Sequence, residues 1–375
     1  MRLRGQVQFK KMDNGWWIMA GRRDSQSRFT CLFSKFLCHS VEMAQEKQHS
    51  PDYAPKRRAR DPFWDSRVHA LVCALFTLIN LLPAKVARWL GRTLGYVAWS
   101  IDVKHRRQVL RHMDIAFRNE KTREEKKKLC LNYYRHMGLS VIEFARLEKF
   151  TTANIDSIAD VSALTTFDRL LSKGKGLICI PAHHGNWELC GYAVALKGYV
   201  FKSVVRPMDN PLLDTLITSI RERSGQVLIK KWKVLWKLKK LLNQGQIVTI
   251  AVDQNGGVGG LFVPCFGVLA STITSPAELH LATGAPIIVA TLNRQPDRVR
   301  HILHVWDIIE PARTDDHDRD VAVIMTRINA AVEHAVRAYP EQWLWAHKRW
   351  KTRPVGEISG LDGLPPIIYN LSTSL

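Results

Sequence analysis

From Gly176 onward the chain alternates short apolar runs with segments whose apolar residues recur at helical spacing. The runs at 176–181, 200–205, 226–229, 247–252, 286–292 and 302–308 have the length and β-branched content of buried strands, and the segments between most of them read as helices. Such alternation predicts an α/β fold, a mixed sheet flanked by helices. A last helix is expected over about 321–338, stopped by Pro340.

Before Gly176 the pattern is helical. Residues 129–147 carry Leu131, Tyr134, Met137, Val141, Ile142 and Phe144 near helical spacing, which predicts a core-facing helix. The stretch 68–82 has no formal charge and ends at Pro83, with Trp64 and Arg67 before it and Lys85, Arg88, Trp89 and Arg92 after it. It is shorter than the roughly 20 apolar residues a full span needs, so the expectation is a hydrophobic N-terminal helical anchor that dips into a bilayer or barely spans it. A buried helical hairpin fits the same residues equally well. Residues 1–60 hold 13 Lys/Arg against 5 Asp/Glu without sustained apolar periodicity and read as a disordered basic extension, whose cluster Trp16–Ala20 is too short for an export signal. The expected organisation is a basic extension (1–60), a helical anchor region (61–150), an α/β domain (151–354) and a mobile tail (355–375).

Composition narrows the partners. The 375 residues are 46% hydrophobic, ample for a large core, and 55 Lys+Arg against 34 Asp+Glu give a net charge of +21. This calls for an anionic partner: a membrane surface, a phosphorylated lipid, an acidic carrier protein or a nucleic acid. The seven cysteines show neither zinc-ligand spacing nor a dense framework, so no disulfides are expected.

The candidate chemistry sits where the first strong strand meets a helix, at Pro181-Ala182-His183-His184-Gly185-Asn186-Trp187-Glu188. A histidine there is held by rigid elements yet opens toward substrate. His183 and Glu188, five apart, share no helix face, but a turn at Gly185-Asn186 brings a carboxylate to the imidazole, which fixes its tautomer and leaves the other nitrogen as a base. Two other strand ends carry candidate binding groups: Arg206, and Asp253-Gln254 followed by a glycine-rich stretch that reads as a loop over a groove. A metal hydrolase built on His183, His184 and Glu188 lacks the i,i+4 histidine pair of a helical zinc site, so no metal is expected.

HHGNWE resembles the HX4(D/E) motif of the glycerolipid and lipid A acyltransferases. Within that superfamily the likeness is to the late lipid A acyltransferases, the lauroyl and myristoyl transferases. Three further blocks match in order, Val205 to Asp214, Val252 to Gly267 and Pro340 to Trp350, with Cys265 standing where an aromatic is expected. The resemblance implies a glycerolipid acyltransferase-like fold and an O-acyltransferase that moves a fatty acyl chain from an acyl thioester to a hydroxyl of a lipid A precursor or related glycolipid. It implies His183 as base with Glu188 as its orienting partner, and Asn186, Arg206, Asp253 and Gln254 as substrate-binding residues, with shaping of the turn the favoured role for Asn186. It also implies acyl carrier protein as donor, a lipid acceptor, no cofactor beyond the thioester itself, and the cytoplasmic face of the inner membrane. The alternatives are a glycerophospholipid acyltransferase and a non-enzymatic protein that binds anionic lipid or nucleic acid; no nucleic-acid motif is present, so none is expected to bind. Trp343, Trp345, His347, Lys348, Arg349 and Trp350 read as an aromatic-basic cluster suited to a lipid interface.

Overall fold

The computed structural model describes residues 9–11, 17–19, 61–230, 234–297, 299–311, 313–357, 360 and 363–367. Most of the predicted basic extension therefore lies outside the described residues; within it β1 (Phe9–Lys11) pairs antiparallel with β2 (Trp17–Met19). The chain divides into two compact units, one of residues 1–53 with 354–357 and one of residues 54–353 with 358–375. The larger unit carries both the helical region and the sheet.

Among its described residues, four helices come first. Asp61 caps α1 (Pro62–Leu81), whose proline takes the first-turn position where a missing N–H costs nothing. Pro83 separates it from α2 (Ala84–Ile101), and α3 (Val103–Phe117) follows a cap at Asp102. The mixed-charge stretch before the predicted core helix begins that helix: Thr122 and Glu125 form a reciprocal capping box, and α4 runs Arg123–Ala145. Helices α2 and α4 approach through glycines. A Cβ on Gly138 would lie 2.1 Å from the carbonyl oxygen of Gly91, and one on Gly95 would lie 2.3 Å from that of Tyr134.

The α/β part continues as β3 (Ala159–Asp160), α5 (Leu164–Leu171), β4 (Leu177–Ile180), α6 (Trp187–Leu196), β5 (Phe201–Val205), α7 (Pro211–Glu222), β6 (Val227–Lys230), α8 (Leu235–Asn243), β7 (Ile247–Thr249), the hairpin β8 (Leu261–Cys265) and β9 (Val268–Thr272), α9 (Ser275–Thr283), β10 (Ile287–Arg294), β11 (His301–Ile309) and α10 (His317–Ala338). Seven strands form one sheet in the order β3-β11-β10-β4-β7-β5-β6, parallel throughout except for β10 against β11. All six predicted strands are present. The hairpin escapes the sequence pattern, because its turn residue Phe266 adopts φ +53°, a conformation ordinarily left to glycine or asparagine.

Parallel strands covered on both faces read as near-continuous apolar runs. In β4, Leu177, Ile178 and Ile180 are fully buried and alternate between two cores, one shared with α5 and α6, the other with α8, α9 and α10. Three parts of the sequence reading are revised. Most of the terminal aromatic-basic cluster packs inward: Trp343, Trp345, Arg349 and Trp350 are buried, His347 is half-buried and Lys348 is exposed, and Arg349 donates to the Gln254 and Ser271 carbonyls. The glycine-rich loop is pinned rather than free: Gly256 donates to the Ser271 carbonyl, and a Cβ on Gly260 would sit 2.3 Å from the Ser271 hydroxyl. Part of the tail packs on the unit, with the Gly363 carbonyl accepting from Arg111.

Among the described residues no helix is long and apolar enough to cross a membrane. Helix α1 nevertheless exposes Trp64, Val68, Leu71, Leu75 and Leu78, a stripe at alternating spacings of four and three, while Phe76 on its other side packs edge-to-face on Phe144.

The glycine contact gives a stability test. Gly138→Val pushes a side chain into backbone, where no rotamer change relieves the clash, and is expected to lower unfolding free energy by about 3 kcal/mol, read from denaturant unfolding. A Gly138→Val protein as stable as wild type would show that the helices separate at no cost.

Candidate active site

The turn after β4 is wedged between two other segments. Gly185 has φ +67° and no room for a side chain, because a Cβ would lie 2.0 Å from the Leu292 carbonyl oxygen. The Gly185 N–H donates to the Gln342 carbonyl, the Asn186 N–H to that of Leu292, and Leu344 N–H to that of His183. Asn186 is buried; its side-chain Oδ1 caps α6 by accepting from the Leu189 N–H and its side-chain Nδ2 donates to Glu143, 2.5 Å away. It thus shapes the turn, and its side chain points to Glu143 and the start of α6 rather than into the cavity below His183.

His183 projects from this turn toward the end of β7. Its Nδ1 lies 2.8 Å from Oδ1 of Asp253, and its backbone N–H donates to Oδ2 at 2.8 Å. The Trp343 indole donates to the same Oδ2 at 2.9 Å. Burial on its own raises a carboxyl pKa, but the imidazole and these donors override it and hold Asp253 down at about 2. An ionised acceptor requires Nδ1 to carry the proton, so Nε2 is the free basic nitrogen. Burial would also depress His183, yet the Asp253 carboxylate prevails and its pKa is raised above the ordinary value. The Gln254 amide stands 3.4 Å from Nε2.

The expected pairing of His183 with Glu188 is corrected by this geometry. Glu188 is the second residue of α6 and turns toward α7, where Arg221 grips it with two bonds, Nε to Oε2 at 2.8 Å and Nη2 to Oε1 at 2.6 Å. The carboxylate on the ring comes instead from the adjacent parallel strand, a spacing of about 4.8 Å that lets strand-end residues meet directly. Glu188 acts on His183 only through space, as one of the charges that raise its pKa. Arg206 follows β5, two strands from β4; it is exposed, with Asp209 at 3.7 Å. The guanidinium beside the histidine is Arg221, which sequence reasoning passes over because it lies in the last turn of α7, outside any recognised block.

A second miss is a buried polar cluster behind the turn. Arg294 forms a two-bond ion pair with Glu143, the carboxylate that also takes the Asn186 amide, and His136 Nε2 lies 3.1 Å from the Gly185 carbonyl oxygen. His184 is fully buried with Nε2 on the Tyr339 carbonyl, and burial pushes its pKa down to about 4, so it does not compete with His183. Among the described residues no group of three or more His, Cys, Asp or Glu side chains is placed to hold a metal ion.

Below His183 a cavity of about 190 Å³ runs between α6 and the sheet. Trp187, Glu188 and Arg221 stand at its histidine end; Val194, Phe201, Ile247 and Leu303 line its depth. Cys179 and Cys190 also line it. Burial pushes both thiols up, Cys190 to about 12, so they remain protonated.

Comparison with known proteins agrees with this arrangement. The family model described as bacterial lipid A biosynthesis acyltransferase matches residues 64–352. The chain is 28% identical over 281 residues to the lipid A biosynthesis palmitoleoyltransferase of Escherichia coli (strain K12), covering 74% of this chain and 89% of that protein. It is 27% identical over 281 residues to the lauroyltransferase of the same organism, covering 74% and 90%, and 23% identical over 318 residues to its myristoyltransferase, covering 84% and 96%. The match extends across the helices, the His183 turn and the terminal tryptophan block, and the chain belongs to the bacterial lipid A biosynthesis acyltransferase family.

Proposed function

We propose that this acyltransferase moves a fatty acyl chain from an acyl carrier protein thioester to a hydroxyl of a lipid A precursor or a related glycolipid. The observation that carries the reading is a histidine base, fixed by a buried aspartate, opening onto an apolar cavity. A base at a hydroxyl and a largely apolar slot for a hydrocarbon are the two things acyl transfer to a lipid demands.

In this mechanism Nε2 of His183 takes the acceptor hydroxyl's proton as the oxygen attacks the thioester carbonyl. Asp253 stabilises the imidazolium that forms. The Gln254 amide beside Nε2 and the Arg221 guanidinium at the cavity end supply donors for the oxyanion. Collapse breaks the carbon–sulfur bond, and the thiolate takes the proton from His183. Glu188 holds Arg221 in place. The two cavity thiols, held protonated, take no part, and the thioester is consumed as substrate with no cofactor.

The same proposal includes the cytoplasmic face of the inner membrane. The apolar stripe on α1 suits a helix lying in the interface with its other side packed on protein. The exposed Lys237, Lys239 and Lys240 of α8 suit an anionic lipid surface or an acidic carrier.

His183→Ala is expected to lower turnover of an acyl thioester by about 10²–10⁴ with the fold retained at reduced stability, since Asp253 loses a donor, and no acyl mass is expected on the protein in quenched reactions. Full activity without the imidazole, or an acyl adduct on Cys179 or Cys190, would overturn the mechanism. In cells lacking the protein, mass spectrometry of lipids should show lipid A short of one secondary acyl chain; a missing chain on glycerophospholipids instead would reassign the acceptor.

The pH profile has a definite sign. The base works neutral, so the rate should climb with pH through a pKa above the ordinary histidine value of about 6.5. Asp253→Asn removes the charge that opposes burial, so the acid limb should move to lower pH while the plateau falls. A limb that stays in place would separate Asp253 from the titration. Linkage runs the same way: the protonated pair adds stability below the unfolded histidine pKa and loses it as pH rises through the folded one.

Partition supplies the test of location. The protein should stay with membranes at high salt, and Leu71→Glu with Leu78→Glu should release it; release of wild type by salt alone would assign the attachment to charge.

A further inference from the structure

The cavity floor is built from register-matched rungs of the sheet, and one rung differs from the rest. Level with the strand ends, Pro181, Ala251 and Val205 line it. Two residues deeper, Cys179 pairs with Thr249, Thr249 with Ser203, and Ser203 with Leu228. Two residues deeper again come Ile247 and Phe201. At a strand rise of about 3.3 Å per residue the middle rung lies about 7 Å below the first, with the last about 7 Å below that.

Ser203 and Thr249 therefore stand on neighbouring parallel strands, about 4.8 Å apart, on the face that lines the cavity. Among the described residues neither hydroxyl has a hydrogen-bond partner. Above them stand Cys190, Gly191 and Val194, with the Gln226 amide packed beside Gly191 and not bonded to either hydroxyl. A slot meant only for hydrocarbon gains nothing from two adjacent open hydroxyls, because a plain chain strips their water and returns no bond. Valine and alanine would fill the same positions on a strand without that penalty.

We infer that the Ser203–Thr249 pair is a recognition site for a hydroxyl carried part-way along the acyl chain, so that the cavity favours a hydroxyacyl over an unsubstituted acyl donor. The inference rests on the acyl-transfer reading above. A substrate hydroxyl set between the two side chains donates to one and accepts from the other, satisfying all three groups. Ile247, Phe201 and Leu303 then take the apolar remainder of the chain.

The experiment is a competition in which the full chain receives paired acyl carrier protein thioesters of equal length, unsubstituted and hydroxylated at single positions stepped from carbon 3 to mid-chain, with products separated by mass. Wild type is expected to favour one hydroxyacyl chain by about tenfold in kcat/KM. The double variant Ser203→Ala with Thr249→Val, near-isosteric and lacking both hydroxyls, should bring that ratio to one or below; Thr249→Val alone, which keeps the strand's shape, should give an intermediate ratio. Equal or better use of the unsubstituted chain by wild type, or a ratio unmoved in either variant, would overturn the inference while leaving acyl transfer intact. Failure of wild type to turn over any thioester would instead overturn the acyl-transfer reading, and the recognition site with it.

Discussion

Asp253 is a carboxylate taken out of water, and the site depends on how that cost is met. An isolated buried charge is untenable, so each of its oxygens must have donors. Here the ring and backbone of His183 and the indole of Trp343 provide them. These contacts join three distant parts of the chain: the end of β4, the end of β7 and the segment after α10. The same bonds that make the charge tolerable orient the imidazole and fix its tautomer. Orientation of the base and stability of the fold are therefore one interaction seen from two sides.

Behind this pair the turn is held against movement by a second buried charge system. Glu143 and Arg294 neutralise each other, while the carboxylate also receives the amide of Asn186. A buried ion pair contributes little net stability against an apolar replacement of the same volume, so its value lies in direction rather than strength. It sets where Asn186 sits, Asn186 sets where α6 begins, and α6 carries Glu188 and the cavity roof. The pair at the cavity end, Glu188 with Arg221, is partly open to solvent and its charges lie near enough to tune His183.

Much of this is legible from local pattern. The strand at 176–181 and its crossing into a helix are encoded within a dozen residues, and the HHGNWE block singles out the histidine. What local pattern hides is pairing. β4 and β7 are adjacent in the sheet but separated in the chain by two strands and three helices, and nothing in the spacing of His183 and Asp253 declares that they touch. Glu188, near in sequence, is the natural partner to choose, and only the direction of α6 turns it aside. The tryptophan block misleads in the opposite sense: its composition suits an interface, while its burial follows from contacts with Phe117 and Phe266 far upstream. Arg221, Glu143 and Arg294 carry no local signal, since single charges within helices and at strand ends usually face water.

The position of Trp343 has a bearing on how the protein comes into being. A chain emerging from the ribosome has its histidine, its aspartate and most of its sheet long before residue 343 is added. Until then the outer oxygen of Asp253 has no indole, and the turn lacks the Gln342 and Leu344 backbone that clamps it. Synthesis thus delivers both members of the His183–Asp253 pair early and the contacts that complete their surroundings late, so a chain still short of residue 343 holds the pair without the segment that fixes it.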